Sequence, residues 1–158
     1  MAIVAASAVG FSIGDAVDAH RSTAPPKIVT SVVNKSVINR YWTNMGQMIG
    51  SCKVGTKGST CSISTGKTAT RSVSLAYGMT RGAVTASLGI DAATSVSVGT
   101  SCSSPPLPAG RIYRAYPIGE KWQYKIQKIT YVGIGLSKTQ KTGWLTAFNP
   151  SRTHIYCV

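Results

Sequence analysis

Residues 70–101 read TRSVSLAYGMTRGAVTASLGIDAATSVSVGTS, and this stretch has the clearest periodic pattern in the chain. Apolar side chains alternate with small or polar ones, first on odd positions and then, after Arg81 and Gly82, on even positions. Alternation with a period of two predicts strands that each have one apolar face. Glycine at the change of parity favours a tight turn, because it tolerates a positive φ. The stretch therefore predicts an antiparallel β-hairpin, broken near residues 91–94 because an unbroken strand would reach about 50 Å.

The apolar face of this hairpin has two interpretations. It would comprise Val73, Leu75, Tyr77, Met79, Val84, Leu88 and Ile90. In a membrane-inserted hairpin of an oligomeric pore, alternate residues face lipid and lumen. In an ordinary half-buried hairpin, the same residues cover the core of a globular sheet. The second interpretation is favoured, because Ala86 and Ala92 are small and the turn lacks an aromatic girdle.

The rest of the chain also predicts strands. Residues 28–38 are rich in β-branched side chains, and residues 40–49 are the only candidate for a short helix. Two further strands, 111–116 and 121–128, are expected to join at a turn over residues 117–120, with a bulge near Gln127 or Lys128. The predicted fold is an all-β, single-domain antiparallel β-sandwich or an elongated sheet.

Four cysteines, Cys52, Cys61, Cys102 and Cys157, fit two disulfides in an oxidising compartment. Three pairings are possible, and Cys52–Cys61 with Cys102–Cys157 is preferred, because residues 53–60 form a turn-rich loop that can bring the first two sulfurs together. Zinc is the competing use, but the sequence has no closely spaced cysteine pair. A secreted, extracellular protein is therefore expected.

The N-terminal residues fit a leader. Residues 2–13 are uncharged and too short to span a bilayer, which requires about 20 apolar residues. Cleavage after Ala19 would suit a signal peptide, although a basic segment before the apolar run is missing, and a hydrophobic first strand is the alternative. The predicted organisation is a possible signal-peptide remnant at 1–19, an extended linker at 20–30 containing Pro25 and Pro26, and one β domain at 31–158.

Charge favours an anionic partner. The chain has 17 Lys and Arg against 4 Asp and Glu, a net charge of +13. Such a surface attracts polyanions, so the expected partner is an anionic envelope polymer or a lipid surface, with nucleic acid less favoured; solubility alone is the other explanation. The predicted binding residues interleave cations and aromatic rings: Arg111, Tyr113, Arg114, Tyr116, Lys121, Trp122, Lys125 and Lys128. A merely solvated sheet face is the alternative.

The sequence predicts no assembled catalytic site, no metal site and no cofactor. Asp91 and Glu120 are separate carboxylates with nothing to bring them together. His154 and Cys157 would lie on opposite faces of a strand, which disfavours a nucleophile–base pair.

Several short motifs resemble those of small secreted proteins of Gram-positive bacteria, including actinomycetes. They are the alternating stretch 73–98, Pro108-Ala109-Gly110-Arg111, Ala115-Tyr116-Pro117-Ile118 and Thr142-Gly143-Trp144. The sheet looks most like that of aerolysin-type β-proteins, whose Ser/Thr-rich amphipathic hairpin can insert into membranes. The resemblance covers roughly the last 90 residues and implies a fold more than a function.

Together these features predict a secreted basic β-protein that acts by binding. Its partner would be an anionic envelope component, or it would be a small subunit or adaptor of a secreted toxin or surface assembly. Residues 23–33 could be donated to a protein partner by β-strand addition, and a homo-oligomer is possible. A pore-forming toxin and an enzyme are the alternatives.

Overall fold

The computed structural model describes residues 25–133 and 135–158. The predicted leader at 1–19 lies outside these residues. In chain order, the elements are β1 (Lys27–Thr43), β2 (Gly50–Lys53), β3 (Ser62–Ile63), β4 (Lys67–Thr70), β5 (Ser72–Val73), α1 (Arg81–Leu88), β6 (Ser95–Val98), β7 (Cys102–Ser103), β8 (Ile112–Val132), β9 (Leu136–Lys141) and β10 (Leu145–Cys157).

Strand β8 organises the main sheet. It pairs with β1 and β2 and with β9 and β10, and β10 also pairs with β5. Two small sheets, β3–β7 and β4–β6, complete the fold, and every pairing is antiparallel. Because β8 has 21 residues, it spans about 65 Å at 3.3 Å per residue. The predicted all-β class and antiparallel sheets are therefore confirmed.

Both predicted disulfides are present. Cys52 is bonded to Cys61 and Cys102 to Cys157, with Cα–Cα distances of 6.0 and 6.7 Å. The first closes the loop between β2 and β3, and the second joins β7 to the last strand. All four cysteines are used, so the zinc alternative is wrong. Disulfides of this kind persist in oxidising compartments.

The hairpin predicted for residues 73–98 is wrong. Residues Arg81–Leu88 form the helix α1, and only the flanking β5 and β6 are extended. The Thr80 side chain caps the helix by accepting a hydrogen bond from the Ala83 N–H, and Gly89 ends it in the left-handed region at φ 76°. Val84 and Leu88, four residues apart, are buried on one helical face. The same residues therefore satisfy a helical period as well as a period of two.

The residues of the predicted membrane hairpin consequently do not form one alternating face. Val84 and Leu88 are buried in α1, while Val73, Met79 and Ile90 pack against the same cluster from other segments. Leu75 is about half exposed, and Tyr77 adopts a positive φ of 51° in a turn. Within the described residues, no helix is long and apolar enough to cross a membrane.

Three further expectations are corrected. The helix predicted at 40–49 is absent, because β1 continues to Thr43 by pairing with Ile118 and Gly119 of β8. The turn predicted at 117–120 is absent, because β1 and β10 hold this part of β8 extended from both sides. Finally, β1 already begins at Lys27, inside the predicted linker at 20–30.

The bulge predicted at Gln127 or Lys128 is also wrong, because the register of β8 with β1 and β9 runs through these residues without a shift. The shifts lie in β1, between Val33 and Trp42, and in β10, between Pro150 and Ile155. The strand nevertheless changes its buried face. Ala115, Pro117 and Gly119 are buried in the first half, whereas Tyr124 and Ile126 are buried in the second.

Two apolar clusters lie along the sheet. The larger joins Val84 and Leu88 of α1 to Tyr124, Ile126 and Ala147 of the sheet, and Trp122 packs against it. The smaller contains Ala69, Val96 and Val98, with Ile49 and Ile155 against them. Since alternate residues of a strand point to opposite faces, Lys121, Gln123 and Lys125 lie on the side of β8 facing away from the larger cluster.

Candidate binding surface

The structure distributes the predicted binding residues over two faces and most of the length of β8. Arg111 and Lys128 are 17 residues apart, about 55 Å along an extended chain. Arg111 and Arg114 are exposed at one end, beside a shallow cavity of about 270 Å³. Tyr113 and Tyr116 are partly buried near this end. The predicted set is therefore not one continuous surface.

Two aromatic residues of β8 belong to the core side. Tyr124 is fully buried, and its hydroxyl donates a hydrogen bond to the backbone oxygen of Ser74. Burial raises the pKa of this phenol above its usual value. Trp122 packs against the larger cluster, and within the described residues its indole N–H is buried without a partner. Neither ring is placed to stack on a ligand.

Lys121 and Lys125 instead approach two other tryptophans. The Nζ of Lys121 lies 4.4 Å from the ring centroid of Trp42, and the Nζ of Lys125 lies 4.5 Å from that of Trp144. These distances are within the range of cation–π contacts. Gln123 lies between the two lysines on the same side of β8. We call Trp42, Lys121, Gln123, Lys125 and Trp144 the tryptophan–lysine face.

Register shifts in β1 bring Trp42 next to Lys121 along β8. Between the pairs Val37–Trp122 and Trp42–Gly119, β1 uses five residues where β8 uses three. The Asn39 side-chain oxygen accepts a hydrogen bond of 2.8 Å from the Tyr41 N–H within this irregular segment. The extra residues place Trp42 opposite Gly119, on the face that carries Lys121.

Trp42 extends across β8 toward β10. Its indole contacts Phe148 of β10, with ring centroids 5.3 Å apart in an edge-to-face arrangement. The Asn44 N–H donates to the Pro117 oxygen at 2.9 Å and fixes the chain after β1. A cleft of about 280 Å³ opens beside Trp42 and Lys121, lined also by Asn44, Ser72, Thr146 and Phe148.

Trp144 is positioned by the connection between β9 and β10. The Thr142 hydroxyl accepts a hydrogen bond from the Ile126 N–H, and the Thr142 N–H donates to the Ile126 oxygen, both at 3.0 Å. These bonds hold the connection against β8, and Leu145 then turns into the larger cluster. Trp144 therefore points to the opposite side, where it is about half exposed beside Lys125.

No acidic side chain neutralises this face within the described residues. Glu120 lies on the opposite side of β8 from Lys121 and is 3.5 Å from Arg40. Asp91 is 3.8 Å from Arg71, and its pKa is lowered chiefly by a hydrogen bond from the Ala93 N–H and also by the guanidinium. The ammonium groups of the tryptophan–lysine face are thus free to meet an external anion.

A second cleft, of about 300 Å³, lies around the irregular segment of β10. Among the groups that line it are Arg40, Tyr41, Glu120, Ser151 and His154. The Nδ1 of His154 is 3.0 Å from the Ser151 hydroxyl, but this contact closes a local bend within β10. In the part of the chain that is described, no carboxylate orients the imidazole, as a nucleophile–base pair requires. Within the described residues, the Ser151–His154 pair in this cleft therefore lacks the third group that would orient the imidazole for catalysis.

The sequence singled out Lys121 and Lys125 but missed Trp42 and Trp144 as their partners. Trp42 fell in the expected helix at 40–49, and its position beside Lys121 depends on irregular pairing that has no sequence signature. The aromatic residue after Thr142-Gly143 was a visible signal for Trp144. Comparison of the chain with protein-family models, curated proteins and solved structures finds no match.

Proposed function

We propose that this protein is secreted and binds an extended anionic polymer of the cell envelope through the tryptophan–lysine face. The observation that carries the proposal is the repeat of one arrangement, a lysine over a tryptophan, twice on one side of β8. Lys121 and Lys125 are four residues apart, which corresponds to about 13 Å along the strand. Two equivalent contacts at this separation suit a chain-like ligand.

The chemistry of each pair fits such a polymer. An indole ring offers a flat apolar surface for a sugar ring or a carbon backbone, and the adjacent ammonium offers charge to a phosphate or carboxylate. Trp42, Lys121 and Lys125 are only partly exposed, so they are already ordered by their neighbours. Groups ordered before binding lose less conformational entropy when the ligand arrives.

The overall charge supports the same proposal. A net charge of +13 draws polyanions toward the surface, while the tryptophan–lysine face supplies the specific contacts. Secretion is inferred from the two disulfides, which suit an oxidising compartment.

The other functions suggested by the sequence have less support. Residues 27–33, the described strand part of the segment expected to be donated to a protein partner, already pair with β8 of the same chain. The pore-forming alternative depended on a hairpin at 73–90, where α1 lies instead. An assembly subunit or a homo-oligomer would use the free edge of β1, but no observation favours either over polymer binding.

The test is direct binding of poly(glycerol phosphate), a simple anionic polymer, measured by isothermal titration calorimetry at several salt concentrations. The double variant Lys121→Gln/Lys125→Gln should weaken binding about tenfold or more, because two desolvated charge contacts are removed. Trp144→Ala should weaken it several-fold through the loss of stacking.

The matched control is Lys53→Gln/Lys57→Gln, which removes the same charge from exposed positions in the Cys52–Cys61 loop. This control should bind nearly as well as the unmodified protein. Equal loss in the two double variants would mean diffuse attraction without a site, and the proposal would fail. Unchanged binding of Trp144→Ala would remove the stacking role of that ring.

A further inference from the structure

We infer that the far end of the main sheet inserts into the surface of an anionic lipid bilayer. This end, which we call the sheet tip, consists of residues 27–33 of β1, 126–132 of β8 and 136–141 of β9. It exposes a cluster of apolar side chains whose exposed fractions are 53% for Ile28, 38% for Val29, 42% for Tyr131, 54% for Val132 and 70% for Leu136. Moving such a cluster from water into an apolar environment lowers the free energy, because apolar surface is removed from water.

The apolar residues are concentrated at the extremity. Val132 pairs directly with Leu136 at the last position of the sheet, and Tyr131 and Ile28 follow within two positions. At about 3.3 Å per position, the cluster occupies roughly the last 10 Å. That length matches the depth to which interfacial segments enter the boundary between headgroups and acyl chains.

Lysines surround the apolar extremity. Lys27 pairs with Tyr131 and Lys138 pairs with Thr130, and Lys128 and Lys141 follow further from the end. The three segments of the tip contain no Asp or Glu, and Glu120 lies about 40 Å away along β8. Long lysine side chains can extend their ammonium groups to lipid phosphates while their methylene stems contact apolar material. The charge of the tip is therefore complementary to an anionic membrane.

The two-sided distribution of the apolar residues favours lipid over a protein groove. Val132, Leu136 and Ile28 lie on one face of the sheet, whereas Tyr131 and Val29 lie on the other. A partner protein docked on one face would leave the apolar residues of the other face exposed to water, whereas lipid can surround both faces of the inserted sheet tip. Insertion stays shallow, because the outer edges of β1 and β9 carry backbone groups that still need water.

Depth-dependent quenching tests the inserted end. Leu136→Trp is mixed with vesicles of phosphatidylglycerol and phosphatidylcholine that contain brominated acyl chains. We expect the brominated chains to quench the fluorescence of the added tryptophan, so that the quenching of this variant clearly exceeds that of the unmodified protein. Ile112→Trp is the matched control, since Ile112 is 42% exposed at the opposite end of β8 and should show no such excess. Equal quenching at both positions would overturn the inference.

Co-sedimentation with the same vesicles tests the energetics. Val132→Ser/Leu136→Ser should lower the lipid partition coefficient about tenfold or more, and pure phosphatidylcholine should bind weakly even the unmodified chain. Full retention of binding in this variant, or its loss only in Lys121→Gln/Lys125→Gln, would assign the lipid contact elsewhere and refute the inference. Absence of binding to any vesicle would also refute it. Polymer binding through the tryptophan–lysine face is measured without lipid, so either proposal can fail alone.

Discussion

Replacing Arg71 tests how the segment between β5 and β6 is held in its folded form. The Arg71 side chain is only 5% exposed, which is exceptional for an arginine. Its Nε donates to the Asn149 side-chain oxygen at 2.8 Å, and its Nη1 donates to the Ala93 oxygen at 2.6 Å. The Arg71 backbone oxygen accepts in turn from Nη2 of Arg81, the first residue of α1, at 2.9 Å. The two arginines thus connect β10, the 91–94 loop and the helix.

The cost of Arg71→Met follows from these contacts. Each hydrogen bond from a charged donor contributes about 1.5–3 kcal/mol. Removal of the Arg71 guanidinium leaves the Asn149 oxygen without this donor and leaves the Ala93 oxygen with only the longer bond, 3.3 Å, from Nη2 of Arg81. The methionine no longer carries the desolvation penalty of a buried charge, which offsets part of the loss. The ion pair with Asp91 contributes little, since that carboxylate is about half exposed. We expect a net loss of about 2–4 kcal/mol in the free energy of unfolding.

Urea unfolding with the disulfides intact measures this loss, and hydrogen exchange of the amides of α1 locates it. Arg71→Lys should recover little stability, because an ammonium cannot reproduce the fork that reaches Asn149 and Ala93 together. Arg111→Met, at an exposed position, is the control and should change stability by less than about 0.5 kcal/mol. If Arg71→Met were as stable as this control, the buried guanidinium would not hold the segment, and the reasoning would be refuted.

Two further predictions concern β8. The pKa of Tyr124 is raised in the folded chain, so this phenol loses its proton at a lower pH in the unfolded chain than in the folded one. The contribution of Tyr124 to the free energy of unfolding is therefore complete below about pH 10 and is lost as the pH rises above it. Tyr124→Phe should be less stable at neutral pH by about 1 kcal/mol, yet show a shallower alkaline decline in urea unfolding across pH about 8 to 11; equal declines would contradict the assignment. Gly119→Ala would place a Cβ 2.2 Å from the Asn149 backbone oxygen, so β8 and β10 must separate, at a cost of at least about 2 kcal/mol. Gly55→Ala, where a Cβ meets nothing within 4 Å, should be nearly neutral in the same unfolding assay, and equal stability of the two glycine variants would exclude the close approach.

The sequence was most informative where local pattern and tertiary environment agree. Residues 28–38 and 121–128 were predicted as strands, and both lie inside long strands that pair with each other. The cysteine pairing followed from the turn-rich loop that separates Cys52 from Cys61. In each case one physical requirement dominates, either an apolar face or a short loop closure, and neighbours from distant parts of the chain do not reverse it.

Residues 81–88 show why the alternating pattern failed. The segment GAVTASLG satisfies a period of two, but Val84 and Leu88 also satisfy a helical period, and small residues between them fit either structure. What favours the helix is not periodic: the Thr80 cap, the left-handed Gly89, and Lys35 of β1, whose ammonium donates to the Ser87 oxygen near the helix C-terminus. The Lys35–Ser87 hydrogen bond joins residues 52 apart, so a local window cannot contain it.

The binding surface has the same origin in long-range pairing. Lys121 and Lys125 were visible in the sequence as alternate residues of one strand, but a lysine on a sheet face is ordinarily a solvated charge. Each becomes a candidate binding group because a tryptophan from another strand or connection lies under its ammonium. Trp42 lies beside Lys121 only because β1 contains two extra residues between Val37 and Trp42. With regular pairing from Val37 onward, the indole would lie opposite Pro117, about 7 Å farther along β8, so that Lys121 would keep its charge but no longer lie over an aromatic ring.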